Sequence, residues 1–198
     1  MKRLTLAIDT SATVSAAVAV GGEVTALNIP DTRAHVEQLV PLCQQALAQA
    51  GIEFSELTDV AVGVGPGPFT GLRVGVAAAR VIAEALGIRI KGVCSLDVLA
   101  RQSNFDGEYV AVNDARRKEL YWARYQDGVR LSEPAVTAPE AIPPLPRFGP
   151  ADIDAGILAL YVDEFPDAGL EPLYLRRPDA EVPSKPKSAL PVIRRRAR

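Results

Sequence analysis

The sequence predicts an α/β fold in which a strand, hairpin and helix unit occurs twice, the second copy reduced. Three observations predict it. Val60 to Val64 is apolar without polar alternation, as in a strand covered on both faces, and it passes through a glycine loop into an Ala- and Val-rich helix ending at Gly87. Leu4 to Ile8 ends on Asp9 and is followed by Val14 to Val20, Gly21-Gly22 and Glu23 to Ile29, the pattern of an antiparallel meander. The segment from Tyr109 to Gly128 repeats that opening: an apolar strand ending on Asp114, a short turn, an alternating strand and a glycine turn.

The elements follow in order. Asp9, at the end of the first strand, could reach a metal or a phosphate-bound water, or could fix its turn by accepting backbone N–H bonds; the second use is the commoner one for a short carboxylate in a turn. A helix from about Arg33 to Ala50 carries Val36, Leu39, Val40, Cys43, Ala46, Leu47 and Ala50 on one face, and Pro41 should kink its first turns or delay its start. His35 is the only histidine. One histidine builds neither a two-histidine zinc site nor His-Glu-x-x-His, and no Gly-x-Ser-x-Gly elbow supports a Ser-His-Asp triad.

The glycine loop, Gly65-Pro66-Gly67-Pro68-Phe69-Thr70-Gly71-Leu72-Arg73, places Thr70 to cap the following helix, whose first-turn N–H groups would favour an anion. It is not a P-loop, because Leu72 and Arg73 stand where a lysine and a magnesium-binding hydroxyl are needed. The helix has two apolar stripes. One is Val74, Ala77, Ala78, Val81, Ile82 and Ala85; the other is Leu72, Val76, Ala79, Ala83 and Leu86; Arg73, Arg80 and Glu84 occupy the narrow strip left. Such a helix is either an ordinary core helix or one that shows its second face to another chain. Ile88 to Val93 should be a strand, and Ser95 should cap a short helix reaching Arg101. Most of the 16 prolines follow Glu133. A loose connection is therefore expected over Pro134 to Pro150, with a short strand near Phe148, then a helix over Asp152 to Phe165.

Composition sets the outer bounds. A chain of 198 residues with 48% apolar content can bury a core as one domain or two small ones. The predicted division is 1–102, then a smaller second half over 103–181, then a basic tail over 182–198. A net charge of −2 means that nucleic-acid contact must come from a local patch or through a partner. The tail is such a patch: Lys185, Lys187, Arg194, Arg195, Arg196 and Arg198 alternate with Pro183, Pro186 and Pro191, the composition of a disordered, solvated terminus. With no signal peptide in Met1-Lys2-Arg3 and no membrane-length apolar segment, a cytoplasmic location is expected. Cys43 and Cys94, far apart and in apolar surroundings, should be buried free thiols.

The repeated hairpins resemble the actin, sugar kinase and Hsp70 superfamily, which implies an actin-like, ribonuclease H-like fold with a duplicated βββαβα unit. More narrowly, the glycine loop through Arg73, His35 to Leu42, Asp114-Ala115-Arg116 with Glu119-Leu120-Tyr121-Trp122-Ala123, and Glu171-Pro172-Leu173-Tyr174-Leu175-Arg176 resemble the TsaB family, non-catalytic paralogues of TsaD in tRNA threonylcarbamoyladenosine biosynthesis. That resemblance implies a subunit that pairs with a TsaD homologue and a TsaE homologue, reaches tRNA through the complex, and forms a homodimer when alone. It implies no catalytic residue. In TsaD a His-x-x-x-His pair holds the metal; here His35 is followed by Leu39, an aliphatic side chain with no lone pair to give, so no metal is expected.

The resemblance also marks sites. A partner interface is expected at His35, Leu39, Leu42, Phe69, Thr70, Leu72, Arg73, Val76, Ala79, Arg80 and Ala83, with Leu72, Val76, Ala79 and Ala83 as the docking face. Candidates for nucleotide contact are Asp9, Thr10, Ser11 and Asp114. Ser11 stands where the kinase-type hairpin carries a glycine, so no cofactor of its own is expected, and ATP or ADP is a candidate at the junction of the complex. The other readings of the residues are a kinase-like enzyme that hydrolyses ATP alone, and a peptidase, which the single histidine disfavours. The tail's sharper use would be a salt-sensitive contact with tRNA.

Overall fold

The computed structural model describes residues 3–30 and 35–176, the side chains of His35 and Val36 excepted. The basic tail and the expected start of the first helix at Arg33 lie outside the described residues. Ten strands and four α-helices are described: β1 (Leu4–Asp9), β2 (Val14–Val20), β3 (Glu23–Ile29), α1 (His35–Ala50), β4 (Asp59–Gly63), α2 (Phe69–Leu86), β5 (Arg89–Val93), α3 (Ser95–Arg101), β6 (Glu108–Asp114), β7 (Leu120–Gln126), β8 (Val129–Arg130), β9 (Ala135–Thr137), β10 (Arg147–Phe148) and α4 (Ala155–Leu160).

They form two five-stranded sheets. In the first, of order β3-β2-β1-β4-β5, the meander β1-β2-β3 is antiparallel and β1, β4 and β5 are parallel. In the second, β6 and β7 make the repeated hairpin, β10 adds parallel to β6, and β8 and β9 both pair with β7. This is the actin-like α/β fold with a reduced second half.

Alternation along the strands decides what lies on each face. Leu6, Ile8, Val14, Val18, Val60 and Val62 point to one side of the first sheet, where they join Leu39, Cys43 and Leu47 of α1 and Val76, Ala79 and Ala83 of α2. The opposite side carries Ala7, Ala17, Ala19 and Ala61. Those small side chains leave room for α4, whose Ala155, Leu158 and Ala159 share that cluster with α3, Tyr109 and Tyr125. The order of layers is thus α1 and α2, first sheet, α3 and α4, second sheet. Val110 and Val112, on the outer face of the second sheet, are covered by Ile142 and Leu145.

Several expectations need correction. Thr70 does not cap α2: Pro68 is the N-cap and Thr70 lies exposed in the first turn. Ser95 does not cap α3, whose N-cap is Cys94, because its hydroxyl is engaged elsewhere. The helix expected over Asp152 to Phe165 is shorter, since Asp154 caps it by accepting from Gly156 N–H, and Tyr161 leaves helical geometry. α1 continues through Pro41, which sits on its exposed side. Cys43 and Cys94 are buried free thiols, each pushed up to about 12 by burial.

Candidate functional site

The glycine loop after β4 is gripped from four directions. Asp9, 1% exposed, accepts from Ser11 N–H at 2.8 Å and Ser11 Oγ at 2.6 Å on one oxygen, and from Ser95 Oγ at 2.6 Å on the other. Ser95 Oγ in turn accepts from Gly65 N–H at 3.1 Å, while Ser95 N–H donates to Gly65 O at 2.7 Å. Thr10 Oγ1 donates to Gly71 O at 2.8 Å, Tyr121 Oη to Gly67 O at 3.4 Å, and Leu173 N–H to Val64 O at 2.8 Å. The loop therefore ties together β1, α3, the second hairpin and the segment after α4.

This packing explains the glycines. A Cβ on Gly67 would lie 2.6 Å from Ser11 O, and one on Gly71 2.6 Å from Thr10 O. Only a bare backbone fits between the first hairpin and α2. Asp9, Thr10 and Ser11 are buried under the loop with their own chain as partners, so here they present no open edge to a nucleotide. Asp114 is exposed, and its Oδ1 accepts from Arg116 N–H at 2.8 Å, fixing the turn of the second hairpin.

Burial holds the Asp9 carboxyl above the ordinary carboxylate range, against the lowering pull of its bonds from Ser11 and Ser95. A folded-state value above the unfolded one means that the native protein retains a proton the unfolded chain releases, so this group's contribution to stability falls as pH rises from about 3.8 through the raised value. Asp9→Asn keeps the acceptor for Ser11 and removes the titration. It is expected to fold, and to lose that decline relative to the parent when unfolding free energies are measured by denaturant between pH 4 and 8.

The docking face requires a correction of side. Leu72, Val76, Ala79 and Ala83 are buried against the first sheet, as are Leu39 and Leu42 of α1, so none of the six is available to another chain. The side chain of His35 lies outside the described residues. Phe69, Thr70, Arg73 and Arg80 are exposed. The open face of α2 belongs to the other stripe: Val81 is 66% exposed, Ala77 and Ala85 are exposed, and Val74, Ala78 and Ile82 are half-buried beside the core.

A segment missed by local pattern completes this face. After α4 the chain crosses β5, where Ala168 N–H donates to Gly92 O at 2.9 Å, and reaches α2 at Tyr174. The Tyr174 and Phe69 rings lie 4.8 Å apart, and the Arg73 guanidinium sits 5.2 Å from the Phe69 ring centre. Between α2 and residues 170–174 runs an open groove of about 620 Å³, lined by Phe69, Arg73, Ala77, Arg80, Val81 and Tyr174 among others. The Glu171 to Arg176 motif was visible in the sequence; its contact with Phe69, about a hundred residues away, has no local signature.

Among the described residues no group of three or more His, Cys, Asp and Glu could hold a metal ion, and no helix is long and apolar enough to cross a membrane. Residues 29–154 match the TsaD family, described as tRNA N6-adenosine threonylcarbamoyltransferase. An uncharacterized protein of Mycobacterium tuberculosis is 44% identical over 169 residues, covering 76% of this chain and 79% of that protein. The tRNA threonylcarbamoyladenosine biosynthesis protein TsaB of Escherichia coli is 36% identical over 126 residues, 61% of this chain and 54% of that protein. Among solved structures, YeaZ from Pseudomonas aeruginosa superposes with a TM-score of 0.73 at 26% identity, covering 87% of this chain and 100% of that one.

Proposed function

Because the chain belongs to the TsaD family, in its TsaB/YeaZ branch, we propose that it is the non-catalytic partner and activator of a TsaD-type threonylcarbamoyltransferase that modifies tRNA beside the anticodon. The observation that carries this reading is the open apolar face of α2, with Val81, Ala77, Phe69 and Tyr174 at the surface. An exposed apolar strip flanked by Arg73, Arg80 and Glu84 is what a protein interface offers before its partner arrives. The same face would pair two copies of the chain in the partner's absence.

The interior supports an accessory role. Leu39, at the position corresponding to a metal histidine, is part of the core, and the first hairpin is occupied by its own hydrogen bonds. In this reading the chain holds no cofactor of its own, with ATP or ADP at the junction of the complex and tRNA and a TsaE homologue reached through the assembly. The test is reconstitution. Transfer of the threonylcarbamoyl group to tRNA should appear when the chain is mixed with its TsaD and TsaE homologues, ATP, tRNA and threonylcarbamoyl adenylate as the group donor, and be absent from the chain alone; steady ATP hydrolysis by the purified chain would overturn the proposal in favour of a kinase-like enzyme.

A further inference from the structure

A second open groove, of about 710 Å³, lies in the layer of α3 and α4, with the first sheet between it and the α2 face. Four pieces of chain meet there: the carboxyl end of α3, residues 103–106 of the connection to β6, the Asp127-Gly128 turn between β7 and β8, and the carboxyl end of α4. It shares no lining residue with the groove on α2. Its volume falls within the roughly 300–1,000 Å³ of ligand sites.

The lining is apolar with an acidic charge balance. Phe105 and Leu160 are exposed in it, and the Phe105 ring lies 5.5 Å from that of the buried Tyr109. Arg101 is the cation among the lining residues, and it is already engaged: its guanidinium sits 4.4 Å from the Tyr161 ring centre and donates to Glu164 Oε2 at 3.0 Å. The lining carboxylates are Asp106 and Asp127, both exposed. Asp127 Oδ1 accepts from Gly107 N–H at 3.0 Å and Asp127 N–H donates to Gly107 O at 3.3 Å, which clamps the turn to the connection and holds this carboxylate in place. Burial pushes the Tyr109 hydroxyl up, hydrogen bonding with Ser103 opposes that, and the charge of Asp127 reinforces it, so the negative field reaches the aromatic floor. The carbonyl ends of α3 and α4 carry partial charge of the same sign.

Such a lining repels phosphate and suits a cation that has an apolar stem. Arginine and lysine have that form, with methylene groups to lie on rings and a charged head to meet carboxylates. Val129, next to Gly128, is also exposed, so the apolar surface extends beyond what one side chain covers and calls for a segment of a protein.

We propose that this groove docks a basic segment of a protein partner, an arginine or lysine meeting Asp106 and Asp127 while a neighbouring leucine or aromatic side chain packs on Phe105 and Leu160. The inference goes beyond the proposed function and rests on neither the α2 face nor tRNA.

The test is fluorescence anisotropy of the full chain with a labelled peptide of alternating leucine and arginine, at about 0.1 M salt so that long-range attraction is screened. The parent should bind it, and should ignore the same peptide with glutamate in place of arginine. The double variant D106N/D127N removes both charges, while asparagine keeps the acceptor for Gly107 N–H and tolerates the left-handed φ of 51° at Asp127, so the circular dichroism and thermal midpoint should persist. Affinity should fall at least about tenfold in that variant, and by a similar factor in Phe105→Ser. The double variant E23Q/E140Q removes two exposed charges elsewhere and should bind as the parent does. Equal loss in that control would mean general attraction to a chain of net charge −2 and would overturn the inference. So would a parent that ignores the arginine peptide, site variants that bind it like the parent, or loss of binding in Val81→Ser, which would put the peptide on α2. If the parent binds the peptide through this groove but ignores the TsaD homologue, the proposed function fails and this inference stands.

Discussion

Replacing Val81 with glutamate is expected to weaken association with the TsaD-type partner by about 100-fold, roughly 2.7 kcal/mol, while leaving the fold intact. Val81 is the most exposed large apolar residue on α2, at 66%, and touches little that folding depends on. Substitutions at such positions usually shift stability by less than about 0.5 kcal/mol. Buried in an interface, the new carboxylate would lose its water in a groove whose charged lining residues are Arg73, Arg80, Glu84 and Glu171. Co-elution or calorimetry with the purified partner, alongside thermal unfolding of the variant, separates the two effects. Unaltered affinity would place the interface elsewhere.

The contrasting substitution is Ala79→Arg. Ala79 is fully buried between α2 and the first sheet, so arginine there should disrupt folding itself, and lost partner binding would say nothing about the interface. Periodicity revealed that α2 has two apolar stripes, and it could not say which of them meets the sheet. Both are rich in Ala and Val and similar in length. A finer signal was present: Gly71 and Gly75 lie four apart beside the Leu72, Val76 and Ala79 stripe, and a Cβ at either would run into Thr10. Paired glycines on one side of a helix mark the side from which another backbone approaches closely, and they would have placed the sheet correctly.

Elsewhere, legibility followed the range of the determining contact. The meander of β1, β2 and β3, the strand, loop and helix around Gly65, and the second hairpin are set by neighbours in sequence, and all were readable from apolar runs and turn glycines. Thr70 has the chemistry of a cap, but Pro68 already supplies the extended backbone that begins α2, leaving Thr70 inside the first turn. The passage from α4 back to α2 was not readable. Its register depends on Gly92, where a Cβ would lie 1.7 Å from Gly169 O, and on Phe69 meeting Tyr174, pairings that leave no periodic trace in the chain. Burial of Asp9 was likewise foreshadowed only as one of two uses, since a carboxylate at a strand end looks the same whether it faces a ligand or two serines.

That buried carboxylate sets up a second large loss of stability. Gly63 ends β4 directly against Asp9: a Cβ there would stand 1.7 Å from Asp9 Oδ2, 2.6 Å from its Cγ and 2.8 Å from Ser95 Oγ. Gly63→Ala must therefore push the Asp9 side chain aside, and Asp9 is held by three hydrogen bonds with no exposed space beside it. Overpacking of this kind costs about 1–3 kcal/mol, and a buried polar group stripped of its partners about 1–3 more. A total of about 2–6 kcal/mol is a large part of a domain's usual net stability of about 5–15 kcal/mol, so poor soluble yield and an early denaturant midpoint should follow. The clash also predicts its own relief. In the double variant Gly63→Ala with Asp9→Ala, the methyl group takes space the carboxylate has left, and the two losses should fall short of additive by at least about 1 kcal/mol. Fully additive losses, or a Gly63→Ala protein as stable as its parent, would mean that β4 does not close on Asp9 and that the glycine loop is held by something other than this contact.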